Sequence, residues 1–241
     1  GYRVELGEIE TWLSSQQGIR SSKVVLDQSE TTDDKRLNAY LQVDKDKLPL
    51  LSSYEHMLGR KKIQKSDLHI LPNGLPILNS NLNEVRFLYQ EIFEDHCYLK
   101  HGISFSPDSV VVDIGANAGF FNVFLSALSK DITIYSFEPI PEVYHYLTAN
   151  RELYGVKGKA FQLAVLDEEK EIDFNYFPQV TIVSGISDDR IKVKDVVRSY
   201  IENSGDGVLN EQEMEDLLES KLESKRIVCQ TKTLSQIIAQ E

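Results

Sequence analysis

One short stretch of this sequence holds the residue types that could do chemistry. In Val110–Phe121 (VVVDIGANAGFF) an acid, Asp113, stands two residues before Gly115, and Asn117 and Gly119 follow at alternate positions. Glycines there let the backbone turn tightly and let a ligand approach where a Cβ would clash. The free amides that open a following helix can receive an anionic group such as a carboxylate. Glu138 lies 23 residues after Gly115, at the end of the apolar run ITIYSF. A carboxylate there can accept two hydrogen bonds from a vicinal diol such as that of a ribose. A dinucleotide fingerprint needs glycine at the first, third and sixth loop positions. Counted from Gly115, the third is Asn117 and the sixth Phe120, which disfavours a nicotinamide oxidoreductase.

These residues need a scaffold that brings two strand ends together. Ser109–Ile114 is a near-continuous apolar run, which suits a strand buried on both faces of a parallel sheet. Helix over Ala118–Leu128, strand over Ile132–Phe137, helix over Glu142–Leu153 and strand over Lys159–Leu166 complete a β-α-β-α-β order. That order predicts an α/β, Rossmann-like, doubly wound parallel sheet. Upstream, Leu68–Leu71 and Leu75–Leu78 flank Pro72-Asn73-Gly74 as strand, turn, strand. Leu82–Tyr98 reads as one helix with Val85, Leu88, Tyr89, Ile92 and Phe93 on one face. Downstream come Glu171–Tyr176, a long variable stretch, an acidic helix over 211–223, a strand at Arg226–Thr231 and a helix at Leu234–Gln240.

Residues 1–45 read as a separate small α+β piece. A helix over Gly7–Gln16 has Ile9, Trp12 and Leu13 at core spacing, and strands over Ser22–Asp27 and Leu37–Val43 are joined by a polar hairpin loop, Gln28–Lys35. Residues 46–66 read as a connector with a short helix near Leu51–Leu58.

Composition narrows the function classes. The 241 residues carry 26 Lys plus Arg against 38 Asp plus Glu, a net charge of −12. Phosphate neutralisation needs a cationic face, so this balance argues against nucleic acid and anionic membrane as partners. Residues 201–223 alone hold eight acids against one lysine. No run approaches a membrane span, and no secretory leader is recognisable at the start. Cys97 and Cys229 are the only cysteines, with no metal-type spacing; a reducing, cytoplasmic setting and no metal are expected. Glu202 to Glu213 mimics a calcium loop, with glycine at its sixth position and Glu213 at its twelfth, but starts on Glu where Asp is usual; an exposed acidic loop is the expectation.

The acid before Gly-x-Asn-x-Gly resembles motif I of S-adenosylmethionine (SAM) methyltransferases. With FEPIPEVYHYLTAN, the lead-in NEVRFLYQEIFEDHCYLKHGI and LAVLD at residues 163–167, the stretch resembles the FkbM family of SAM-dependent methyltransferases over residues 67–241. The resemblance implies SAM as cofactor and O-methylation more often than N- or C-methylation. It implies that Asp113, Gly115, Asn117 and Gly119 hold the methionine end, that Glu138 holds the ribose, and that the Leu163–Ala164 backbone lies near the adenine. In that family a T-L-S-x-x-I helix, here Thr233–Ile238 (TLSQII), precedes a further strand of the type I-D-x-x-K-I-D-x-E. The sheet is therefore expected to be incomplete at the C-terminus, with strand 109–114 unpaired on one side and the chain inactive and weakly stable alone.

GYRVELGEIE at residues 1–10, continued by SSKVVLD and RLNAYLQV, resembles the opening of the small C-terminal subdomain of adenylation domains in nonribosomal peptide synthetases. Leu71–Gly74 (LPNG) superficially matches a later adenylation motif, but Leu75 stands where that motif carries a lysine, so a plain turn is expected. The two resemblances together imply an interrupted adenylation domain. The partners implied are the large adenylation subdomain, a carrier domain and a carrier-bound aminoacyl or hydroxyacyl substrate, tethered at high effective concentration. N-methylation of the same intermediate, or a non-catalytic linker or docking module, are the alternatives. His96 and His101, just ahead of the first buried strand, are the candidate general bases.

Overall fold

The computed structural model describes residues 5–28, 35–60, 62–186, 190–203 and 210–240. The chain divides into two compact units, Gly1–Arg60 and Lys61–Glu241, within the stretch read as a connector. The first four residues of the adenylation-like motif, the hairpin-loop residues 29–34, and the part of the calcium-like loop over 204–209 lie outside the described residues.

In the first unit, helix α1 (Leu6–Ser14) packs on β1 (Ile19–Gln28), which pairs antiparallel with β2 (Lys35–Val43) in the register Lys23↔Tyr40. Glu10 fastens the helix to the strand. Its Oε1 accepts the Val24 amide at 2.8 Å and meets the Lys23 ammonium at 3.0 Å. The carboxyl of Glu10 is held below its ordinary range, first by the Val24 amide and then by Lys23. Gly18 makes the turn between α1 and β1 at φ +81, and the Leu48 side chain lies where a Cβ would point. Trp12 is 64% exposed and not part of a core. The face of α1 that turns to the strand carries half-buried Ile9 and Leu13, and Trp12 falls outside that arc. A further helix, α2 (Pro49–Gly59), starts on proline, whose fixed φ suits a first helical turn.

The second unit opens with the hairpin β3 (Leu68–Ile70) and β4 (Pro76–Leu78). Helix α3 (Leu82–Tyr89) follows, its start capped by Asn81, whose Oδ1 accepts the amides of Asn83 and Glu84 at 3.1 and 3.3 Å. Asn81 also donates through Nδ2 to the Gln179 carbonyl at 2.8 Å. Asn81→Ala is expected to cost about 1–2 kcal/mol in a urea melt, the usual cost of a lost cap. The single helix expected over Leu82–Tyr98 does not form. The chain widens into a π turn at Gln90–Glu94, bends through a left-handed His96 (φ 49), and ends in a 3-10 segment at Cys97–Gly102.

The parallel sheet has the order β5 (Val110–Ile114), β6 (Thr133–Phe137), β7 (Ala160–Phe161), with α4 (Phe120–Leu128) and α5 (Pro141–Tyr154) as the connections. This is a Rossmann-like α/β arrangement. Strand β5 departs from the fully buried strand expected. Asp113 faces α4 by bonding Asn122, whereas Val110 is 68% and Ile114 57% exposed on the other face. Among the described residues no strand pairs with the outer edge of β5, and nothing covers that second face. Period-two alternation is what a sheet packed on one side produces.

The strand expected over Lys159–Leu166 is split. Its first part, β7, pairs parallel with β6, and its second part, β8 (Ala164–Val165), runs parallel to β10 (Lys225–Lys232). Strand β10 also pairs antiparallel with β9 (Glu171–Tyr176), giving a second sheet of order β8-β10-β9. Helices α6 (Arg190–Asn203) and α7 (Glu211–Lys221) close a separate cluster around Val180, Val197, Ile201, Met214 and Leu218. The last helix, α8 (Leu234–Ile238), begins on a capping box between Thr233 and Gln236. No helix among the described residues is long and apolar enough to cross a membrane.

Candidate cofactor site

The loop after β5 is built by glycines with different tasks. Gly115 has φ +75, and a Cβ on it would point into open space; Gly119 has φ +85, and a Cβ would stand 2.9 Å from Leu147 of α5. Gly115 therefore keeps the loop open on the cavity side, while Gly119 lets the loop pack on α5. The amides of Gly115 and Ala116 both donate to the Phe137 carbonyl at 2.9 Å, which ties the loop to the end of β6. Asn117 also adopts the left-handed region (φ 49), which asparagine tolerates better than most residues.

That conformation aims the Asn117 amide at Glu138. Oε2 of Glu138 accepts it at 3.0 Å, and Oε1 accepts the Ile140 amide at 2.9 Å. Both bonds use one lone pair of each oxygen and leave further acceptor capacity. Glu138 is buried, and burial pushes its pKa up to about 7, with nearby Asp113 adding to the rise and the two amides opposing it.

Asp113 rests on a buried polar network beneath the loop. Its Oδ2 accepts Asn122 Nδ2 at 2.7 Å. Asn122 Oδ1 accepts Ser136 Oγ at 2.8 Å and Arg151 Nη1 at 2.5 Å. Arg151 also reaches Ser136 Oγ at 3.0 Å and the carbonyls of Ile134 and Lys157 at 3.1 and 3.3 Å. Burial raises the Asp113 pKa to about 6, against the pull of the Asn122 hydrogen bond and the Arg151 charge. Asn150 adds a second brace. It bonds both backbone groups of Leu78 at 2.8 Å and donates to the Ala118 carbonyl at 2.7 Å, joining β4 to the loop.

A cavity of about 250 Å³ opens at this point. Asp113, Gly115, Asn117 and Glu138 line it, with Glu91 and Tyr98 from the lead-in, and Thr181, Ile182 and Ser184 from the segment after β9. Among the described residues three carboxylates and no lysine or arginine line it, a set that suits a ligand with positive charge. Burial lifts the Tyr98 pKa to about 12, and its ring lies tilted against Phe121 with the centroids 4.2 Å apart.

The other residues singled out in the sequence lie elsewhere. Gly119, Leu163 and Ala164 are not among the lining residues; Ala164 pairs with Thr231 in the second sheet. His96 and His101 do not line the cavity either. The left-handed bend turns His96 against Phe124 (ring centroids 5.9 Å), and a second left-handed residue, His101, leaves that side chain exposed. Sequence reasoning missed Glu91, Thr181 and Ser184. The π turn that sets Glu91 on the wall has no sequence signature, though such turns often mark functional sites.

The glycine loop, the strand-end carboxylate and the parallel sheet are consistent with a Rossmann-like methyltransferase, and methyltransferases are among the known proteins the chain is similar to. Over its whole length the chain is 29% identical to the AMB antimetabolite synthetase AmbE of Pseudomonas aeruginosa, of which it spans 11%. Over 135 residues, 56% of the chain, it is 38% identical to the 31-O-demethyl-FK506 methyltransferase FkbM of Streptomyces tacrolimicus, covering 52% of that protein. It is also 35% identical over 98 residues to Methyltransferase 1 of Beauveria bassiana, covering 40% of the chain and 39% of that relative. No family model matches the chain. The chain is thus similar to a synthetase over its whole length and to methyltransferases over parts of it.

Proposed function

We propose that this chain carries a SAM-dependent methyltransferase domain of a nonribosomal peptide synthetase, acting on an oxygen of a carrier-bound aminoacyl or hydroxyacyl intermediate. The observation that carries the reading is the cavity with Asp113, Glu138 and Glu91 on its wall and, among the described residues, no cation. SAM is a cationic nucleoside, and it would supply a methyl group bound to positively charged sulfur. Glu138 would receive the ribose hydroxyls with its remaining lone pairs, while Asp113 and the open side of Gly115 lie where the methionine end would rest. The work of this chain is then alignment of the acceptor and removal of its proton. With His96 and His101 off the wall, Glu91 is the residue we assign to that proton. The likeness to a synthetase supports a synthetase setting; the large adenylation subdomain and a carrier domain with a tethered substrate are the partners we assign, in a cytoplasmic setting. The deciding experiment offers SAM and an acyl-loaded carrier to the chain and to the full synthetase. Mass fragmentation is expected to place the new methyl on oxygen. A methyl on nitrogen would redirect the reading, and no calorimetric heat with SAM in either protein would leave a non-catalytic module.

The raised carboxyls fix a pH dependence. Glu138 titrates near 7 and Asp113 near 6 in the folded chain, above their values in an unfolded one. The free protein holds those protons more tightly than the unfolded chain, so this contribution to stability is complete below about pH 4 and is lost as pH rises to about 7. A cationic ligand favours the ionised carboxylates, so SAM binding is expected to strengthen between pH 6 and 7.5 and to release protons. Calorimetric heats at pH 6.5 should therefore differ between buffers of different ionisation enthalpy. Identical heats would break the link between these carboxyls and the ligand.

A further inference from the structure

Glu84 is the most deeply buried carboxylate among the described residues, 0% exposed, and the cofactor reading leaves it without a task. It sits on α3, far in sequence from the segment it touches. Its Oε1 accepts the Thr181 amide, and its Oε2 accepts the Thr181 hydroxyl at 3.0 Å. The Thr181 hydroxyl in turn accepts Asn117 Nδ2 at 2.7 Å. Asn117 Oδ1 accepts the Ala118 amide at 2.6 Å, and the Asn117 backbone amide donates to Glu138 at 3.0 Å. Four residues on four different segments thus form one continuous hydrogen-bonded chain between Glu84 and Glu138, with Asn117 donating toward both ends.

We propose that Glu84 is a positioning residue, which through Thr181 and Asn117 sets the carboxylate of Glu138 for the ribose diol. A hydroxyl has one proton and two lone pairs. The carboxylate of Glu84 claims the proton, so the Thr181 oxygen is left to accept from Asn117. That acceptance fixes which end of the Asn117 amide faces Thr181 and which faces Ala118. With its side chain pinned at both ends, Asn117 keeps its left-handed conformation, and its N–H stays on Glu138. A purely structural anchor would need only the amide of Thr181. The hydroxyl relay adds a route to the cavity wall, where Thr181 and Asn117 both stand. Fully satisfied buried networks specify geometry, and partly satisfied ones lose it.

This inference rests on the cofactor reading, and the test separates the two. S-adenosylhomocysteine and the same molecule lacking its ribose 2′- and 3′-hydroxyls are titrated calorimetrically into the 241-residue chain and its Thr181→Ser, Thr181→Val and Glu84→Gln variants. The unchanged chain is expected to prefer the ligand with the diol by roughly 30-fold or more, the loss of two hydrogen bonds to a charged group. Thr181→Ser keeps the relay and should keep that preference. Thr181→Val keeps the volume and the backbone amide, and should reduce the preference at least about fivefold, the ligand with the diol losing more affinity than the diol-free one. Glu84→Gln should do the same; Thr181→Val carries the test if the buried Glu84 variant fails to fold. Full diol preference in Thr181→Val, or equal loss for both ligands, overturns the positioning role alone. No binding of either ligand by the unchanged chain overturns the cofactor reading and this role with it.

Discussion

Replacing Glu138 by glutamine is expected to weaken SAM binding roughly 100-fold. The carboxylate accepts two backbone amides, from Asn117 and Ile140, one on each oxygen. A glutamine must place its NH₂ group against one of those donors, so one amide loses its partner and the side chain rotates away. The ribose then loses two hydrogen bonds to a charged acceptor, each worth about 1.5–3 kcal/mol. About 3 kcal/mol corresponds to roughly 100-fold in Kd. Calorimetry at pH 8, where Glu138 is ionised, measures the full difference. A Kd within threefold of the unaltered chain would remove Glu138 from the site.

Arg151→Met is expected to destabilise the second unit by about 3–5 kcal/mol, the range for removing one partner from a buried charged network. Arg151 is buried and serves Asn122, Ser136 and the carbonyls of Ile134 and Lys157. Methionine fills similar space without donors. The carbonyls of Ile134 and Lys157 each lose the guanidinium hydrogen bond, though the Lys157 carbonyl keeps the Ile134 amide, and Asp113 loses a cation that opposes the upward push of burial. A urea melt reads the loss directly. The Asp113 pKa, followed by carboxyl NMR, should also move above its starting value near 6. A cost under about 1 kcal/mol would mean that solvent replaces the guanidinium, contrary to its burial.

What was legible in the sequence was local. The bend from Asp113 to Gly119 follows from glycine spacing between a strand run and a helix run, and Glu138 from its place at the end of the next run. Both lie where those patterns put them. The hairpin at Leu68–Leu78 and the antiparallel pairing of β1 with β2 were equally readable, because turn residues sit between short apolar runs. Contacts made across the fold were not. Glu84 and Thr181 are 97 residues apart, and only folding joins them. Strand Lys159–Leu166 has one continuous pattern, yet β6 and β10 compete for it and divide it. Helical spacing marked Trp12 and the whole of Leu82–Tyr98, but spacing cannot say which face finds a neighbour or where a π turn will widen the helix.

The bare flank of β5 has a practical consequence. An apolar strand whose amides and carbonyls no described strand claims on one side is adhesive toward any other extended chain. Concentrated solutions of this 241-residue chain should therefore cloud with time and gain cross-β signal, and a lysine placed at Val112, which is exposed on the uncovered face, should slow that clouding without touching the cavity.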